Sequence, residues 1–271
     1  MQLHTTVPPY HLPEADQQSV MRLGLQPLDM ARWMHPDADF QQFHQHKTHT
    51  LQRYPGRGFV ELEESRDAQR EFSALLLQNL LEHHPKYFEL RTGKLVHSPS
   101  GINSDAADLG LANSQYWVQE DICLLQPVSD EYQLTAASVC SPSNWALEKK
   151  IGKSVDQIHS PVPGYQQVLA ERVNRLLRGL KCSKPMLRFN WSLQQGNELF
   201  WRKDLNAAAG DAETYWRVER QTLVKLPESG AVVFGIRIFL HPLASLGDSR
   251  NTIAAVVERL PSAERIYKGL K

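Results

Sequence analysis

The stretch 158-IHSPVPGYQQVLAERVNRLLRGLK-181 decides the architecture, because it is a helical interruption in a run of strand-like segments. Leu169, Val173, Leu176, Leu177 and Leu180 fall at helical spacing. Before it, "VQEDICLLQPV" (Val118–Val128) and "EYQLTAASVC" (Glu131–Cys140) have the β-rich composition of strands, joined by the turn signal Ser129-Asp130. After it come "PMLRFNWSLQ", "TYWRVERQTLVKL" and "SGAVVFGIRIFL", the last two linked by the hairpin signal "PESG". Between the two groups, "SPSNWALEKKIGKSVDQIH" reads as short helices, with Ser141 as an N-cap and Pro142 at the first helical position.

From Val118 to Leu243 the order is therefore strand, strand, short helices, long helix, and three strands. That order predicts an α+β fold, a PAS-like antiparallel sheet with covering helices that enclose a ligand cavity. Residues 1–117 read as a helical extension packed on this core, from "EADQQSVMRLGL", "FQQFHQHKTHTLQRY" and "DAQREFSALLLQNLLEHH", with "YFELRTGKLVH" as a small hairpin turning at Thr92-Gly93. Residues 244–271 close the chain as helices interrupted at Pro261. No flexible linker separates these parts, so one compact domain is expected.

The chain has 271 residues, 41% of them hydrophobic, with 30 basic and 30 acidic side chains and a net charge of zero. A balanced charge gives no overall field to attract nucleic acid or an anionic membrane. Cys123, Cys140 and Cys182 are odd in number, far apart and without a CxxC pair, which excludes a zinc ribbon or a self-contained iron–sulfur set. The first residues lack the layout of a signal peptide, and no apolar run is long enough to cross a bilayer, so a cytoplasmic location is expected. Dinucleotide, P-loop, HExxH and GxSxG signatures are absent. In "FHQHKTH", His46 and His49 share a helix face, but nothing nearby completes a metal site, so a solvated face is the expected reading.

His159 stands directly before Pro161, Pro163 and Gly164, which stiffen the backbone and permit a sharp entry into the long helix. Residue chemistry alone leaves two readings, a histidine that caps a turn and an imidazole aimed at a ligand. On the strands, Glu219 and Gln221 alternate with Val218, Arg220 and Thr222, while Arg188 and Asn190 alternate with Phe189 and Trp191. Solvated strand faces or ion pairs of Glu219 and Arg220 with Glu228 or Arg237 explain such charges equally well. Trp145 and Tyr165, which flank the histidine segment, read first as core.

The strings "SPSNWALEKKIGKSVDQIHSPVPGY" and "RVERQTLVKLPESGAVVFGIRIFLHPL", with "VQEDICLL" and "LRFNW", resemble the family of haem-dependent oxidative N-demethylase alpha subunits, over most of Tyr54 to Leu243. The resemblance implies a PAS-fold oxidoreductase of monooxygenase type that carries haem b. It would use O2 to demethylate a small secondary amine such as dimethylamine, releasing formaldehyde. It implies His159 as the iron ligand, with Pro161, Tyr165, Trp145 and Arg237 around the cofactor and Arg237 reaching a haem propionate. Arg220 is then expected to donate to bound oxygen, with Glu219, Asn190 and Arg188 holding a cationic amine. Electrons would come from a separate flavin or iron–sulfur reductase, since no such motif is present. The rival expectation is a haem-PAS gas or redox sensor, or a binding protein without turnover.

Overall fold

The computed structural model describes residues 23–205 and 213–267. Among the described residues ten strands run in chain order: β1 (Gln26–Pro27), β2 (Phe59–Glu61), β3 (Phe88–Arg91), β4 (Lys94–His97), β5 (Asn103–Asp105), β6 (Asp121–Val128), β7 (Glu131–Ser138), β8 (Met186–Gln195), β9 (Thr214–Lys225) and β10 (Val232–Pro242). The α-helices are α1 (Phe40–Arg53), α2 (Arg66–His83), α3 (Leu111–Ser114), α4 (Val155–His159), α5 (Tyr165–Val168), α6 (Ala170–Gly179), α7 (Ser249–Arg259) and α8 (Ser262–Tyr267).

Seven strands form one sheet in the order β1-β8-β9-β10-β6-β7-β2, and every neighbouring pair is antiparallel. The five strands read from the sequence after Val118 are its centre. The short strands β1 and β2, which that pattern did not show, extend its two edges. β3, β4 and β5 make a separate small sheet. The turns are where the chemistry placed them: Thr92 and Gly93 both take positive φ, Ser129 does at the β6–β7 turn, and Gly230 does at the β9–β10 turn.

Alternation along the strands gives the sheet two faces. The near face carries Met186, Arg188 and Asn190 of β8, Arg217, Glu219, Gln221 and Leu223 of β9, and Phe234, Ile236 and Ile238 of β10. One end of it is covered by α4 and α6, where Val155, Ile158 and Leu177 pack with Cys123, Leu223 and Val232. The other end packs Ile238 and Leu240 against Phe43 of α1 and Leu199. The far face meets α2, through Phe72, Leu76 and Leu80, and the Met30–Trp33 segment. At its other end Trp191, Trp216 and Phe239 meet Ile253 and Val256 of α7.

Between β9 and β10 the approach is close. A Cβ on Gly235 would lie 2.8 Å from Thr222 Oγ1, so the position requires glycine. The long helix expected from Gly164 to Lys181 is instead two pieces, α5 and α6, that break at Leu169. Gly164, at φ 73°, makes the turn into α5. Ser141 does not cap a helix. The helix that carries His159 begins later, where Ser154 and Gln157 form a capping box, because only there does a side-chain oxygen find free N–H groups to bind. The expected helix "EADQQSVMRLGL" lies mostly outside the described residues.

Candidate functional site

Helix α4 is one turn long and ends at His159. The imidazole Nδ1 lies 2.8 Å from the Val155 carbonyl oxygen, one helical turn back. A carbonyl only accepts, so Nδ1 carries the hydrogen and Nε2 is left with its lone pair. Nε2 makes no hydrogen bond among the described residues. Tyr165 stacks on the ring at 4.9 Å and 13°, and its hydroxyl donates to Asp156 Oδ1 at 3.1 Å. Burial lowers the His159 pKa and outweighs the Val155 bond, and the charges of Arg188 and Lys150 lower it further. These causes favour the neutral ring, the state that can ligate a metal.

The near face next to this imidazole is incompletely covered. Arg188, Asn190, Glu219, Phe234 and Ile236 are half-buried, although β9 and β10 are central strands. Register places Asp121, Ile236, Gln221 and Arg188 in one row across four strands. At ~4.8 Å per strand that row is about 14 Å wide. Apolar Phe234 and Ile236 thus lie beside a polar group built on Glu219.

Glu219 accepts three side-chain hydrogen bonds. Oε1 accepts from Arg217 Nε at 3.3 Å, and Oε2 accepts from Gln221 Nε2 at 2.9 Å and Asn190 Nδ2 at 3.3 Å. Arg217 is fully buried and also donates to Ser141 O at 2.5 Å and Gln194 Oε1 at 3.2 Å. Burial lowers its pKa, opposed by the Glu219 charge. Further along the row, burial raises the Asp121 carboxyl to about 6, although it accepts the Cys140 and Ser141 N–H groups.

Of the residues singled out from the sequence, Arg188, Asn190 and Glu219 lie on the near face, and His159 is close enough to Arg188 to feel its charge. Tyr165 stacks on His159, and Trp145 packs with the Ile158 cluster. Pro161 is exposed in the turn, where His159 O accepts from Val162 N at 2.8 Å. Two expectations are corrected. Arg220 is on the far face, where its guanidinium donates to the carbonyls of Trp33 (3.1 Å) and Arg32, so it is not positioned to donate to oxygen beside His159. Arg237 is on the far face as well, fully buried, paired with Asp37 at 2.9 Å and lying over the rings of Phe43 and Phe239 at 4.1 and 4.7 Å. It is a structural cation and not a partner for a propionate. Strand alternation puts both on the opposite side from Glu219. Arg217 and Gln221 were not singled out, although the same alternation, two residues either side of Glu219, points to them.

The histidines of "FHQHKTH" do not lie on a solvated face throughout: His46 is half-buried, with Nε2 2.6 Å from Cys140 O. Among the described residues no group of three His, Cys, Asp or Glu side chains is arranged to hold a bare metal ion. What stands over the near face is a single imidazole, from α4, beside an apolar and polar strip; one protein donor of this kind suits a macrocycle-bound metal.

The family model described as haem-dependent oxidative N-demethylase, alpha subunit-like, matches residues 24–271. The chain belongs to that family. The match reaches further than the sequence strings that suggested it, taking in the helices before Tyr54 and after Leu243. The family's name is that of an oxidative demethylase that depends on haem, and of one subunit of an assembly. No helix among the described residues is long and apolar enough to cross a membrane.

Proposed function

We propose that this chain is a haem b-dependent N-demethylase of monooxygenase type, acting on a small secondary amine such as dimethylamine. The sheet order β8-β9-β10-β6-β7, with α4 to α6 inserted between β7 and β8, supports reading residues 118–243 as a PAS-like core. The observation that carries the proposal is the His159 ring, fixed by Val155 in the tautomer with Nε2 open, beside the half-buried strip of Phe234, Ile236 and Glu219.

His159 would hold the iron through Nε2, and the Val155 carbonyl would orient the ring and raise its basicity. Haem, when bound there, supplies the reductive activation of dioxygen. Arg188, which shares the near face and acts on both His159 and Glu219, would be the cation that meets an anionic group of the cofactor. Phe234 and Ile236 would present apolar surface to the reacting methyl group.

Glu219 would bind the substrate. A carboxylate has about four acceptor positions, and Arg217, Gln221 and Asn190 occupy three; the fourth remains for an ammonium N–H. In the overall reaction one oxygen atom leaves in formaldehyde and the other in water. Two electrons and two protons enter from outside, the electrons from a separate flavin or iron–sulfur reductase.

The test is reconstitution with haemin. A Soret band should appear and shift or vanish in His159→Ala. With a chemical reductant, O2 and dimethylamine, formaldehyde should form in proportion to amine consumed. In Glu219→Gln the KM should rise about 10- to 100-fold, since a bond to a charged group is worth ~1.5–3 kcal/mol. A His159-dependent Soret band with no amine-dependent oxygen uptake would instead identify a sensor or binding protein. Haem bound equally by His159→Ala would refute the site.

A further inference from the structure

The zero net charge conceals a strong local asymmetry. Between Lys149 and Lys184 the chain carries eight Lys or Arg residues against two Asp or Glu. Lys149, Lys153, Arg172, Arg175, Arg178, Lys181 and Lys184 are all exposed. On α6, Arg172, Arg175 and Arg178 recur every third residue, so they form a stripe away from buried Leu177. The two acids do little to offset it. Glu171 pairs with Arg175 alone, and Asp156 is engaged by the Tyr165 hydroxyl and Asn174 Nδ2.

This cationic surface is the outer side of the elements that bear His159. Lys150 Nζ donates to the Ile158 carbonyl at 2.8 Å, one residue from the proposed ligand, and its charge acts on the imidazole. Arg178 reaches the Asp130 carbonyl at the β6–β7 turn, which joins the patch to the end of the sheet. Nucleic acid is a poor fit, because no aromatic ring is exposed among these cations for bases to stack upon. Tyr165 is buried, and Trp145, just before Lys149, is half-buried in the core.

We propose that the α4–α6 face is the docking surface for an acidic electron-donor protein. The inference rests on the reading of His159 as the haem ligand and adds where reduction enters. A donor held there by charge complementarity would lie against the one-turn helix that carries the ring. Complementary charge of this kind raises association rates about 10- to 1000-fold, and added salt removes the gain.

The probe is a plant-type [2Fe–2S] ferredoxin with an acidic surface, and binding is followed by a fluorophore on Cys182, the exposed cysteine on this face. The thiols of Cys123 and Cys140 are buried, the latter pushed up to about 12 by burial, so labelling is selective. Binding should weaken steeply with salt and fall at least ~10-fold in Arg172→Glu/Lys181→Glu/Lys184→Glu. A control reversal on α2, Arg66→Glu/Arg70→Glu, should change nothing. In haem-loaded protein the ferredoxin-driven reduction rate should fall with binding, while reduction by dithionite stays the same. Equal binding by the triple variant, or tighter retention of transfer RNA or of phosphatidylserine vesicles at the same salt, would overturn the proposal. Because binding is read without haem, loss of the haem reading leaves this measurement able to decide by itself.

Discussion

Replacing Arg237 with Met removes a charge while keeping the length of the side chain. The guanidinium is fully buried, bonds Asp37 Oδ2 at 2.9 Å and the Ile238 carbonyl at 2.6 Å, and lies over two phenylalanine rings. Breaking a buried pair from one side costs about 3–5 kcal/mol. Asp37 is 23% exposed, which favours the low end. Two cation–π contacts add ~0.5–1 kcal/mol each, and new apolar burial of Met returns a similar amount. A net loss of about 3 kcal/mol should lower Tm by ~6–12 °C in a chain of this size. The change should also move the acid limb. Burial raises the Asp37 carboxyl, but the Arg237 charge and bonds from Gln119 and the Asp39 N–H outweigh it and hold the pKa below the usual range. That stabilisation is present above the unfolded carboxylate value, about 3.9, and is lost as pH falls through the lower folded value. Without Arg237 the carboxyl is raised, so acid unfolding should begin at higher pH. Thermal melts across pH, with Asp37→Asn and the double variant to isolate the coupling, measure both effects. A loss under about 1 kcal/mol, with a change in the haem spectrum instead, would refute the structural role.

Gly235→Ala should cost about 1–3 kcal/mol through its clash with Thr222 Oγ1, and Thr222→Ala should recover much of it; equal melting of Gly235→Ala and the parent would show that the strands separate easily. Stability should fall as pH drops from about 6.5 toward 4. Burial lowers His46 and His97 to about 4, so in that window the unfolded chain binds more protons than the folded one. His97→Phe, replacing a ring stacked 3.8 Å from Phe40, should flatten the slope, and an unchanged slope would mean that His97 protonates in place. Arg217→Lys should raise the amine KM with little change in the Soret band, because Glu219 loses its Nε donor while His159 is untouched; an altered spectrum would point to direct cofactor contact.

Much of the sheet was legible, because each central strand carries its own turn chemistry at its end. Ser129-Asp130 and "PESG" declare reversals locally, and alternation then sorts Glu219 from Arg220 without further information. The edge strands β1 and β2 were not, since two or three residues carry no period and gain their pairing only from the neighbours they meet. The start of α4 was misplaced for a related reason: Ser141 and Ser154 both look like caps, and what selects Ser154 is Gln157 three residues on, together with Asp121 taking the N–H of Ser141. The partners of Arg220 and Arg237 are almost 200 residues away in sequence, beyond what any local pattern conveys.

Strand β9 carries two sets of bonds on a common thread: Arg220 fastens the Arg32–Trp33 segment to one side, and Arg217 with Glu219 builds the polar group on the other. Their separation depends on parity alone. A single inserted or deleted residue upstream in the strand would bring the fastening arginine to the near face and turn the carboxylate toward the packed far side. Drift in this segment is therefore confined to exchanges in place, and length variation among its kin should fall in the turns that bound it.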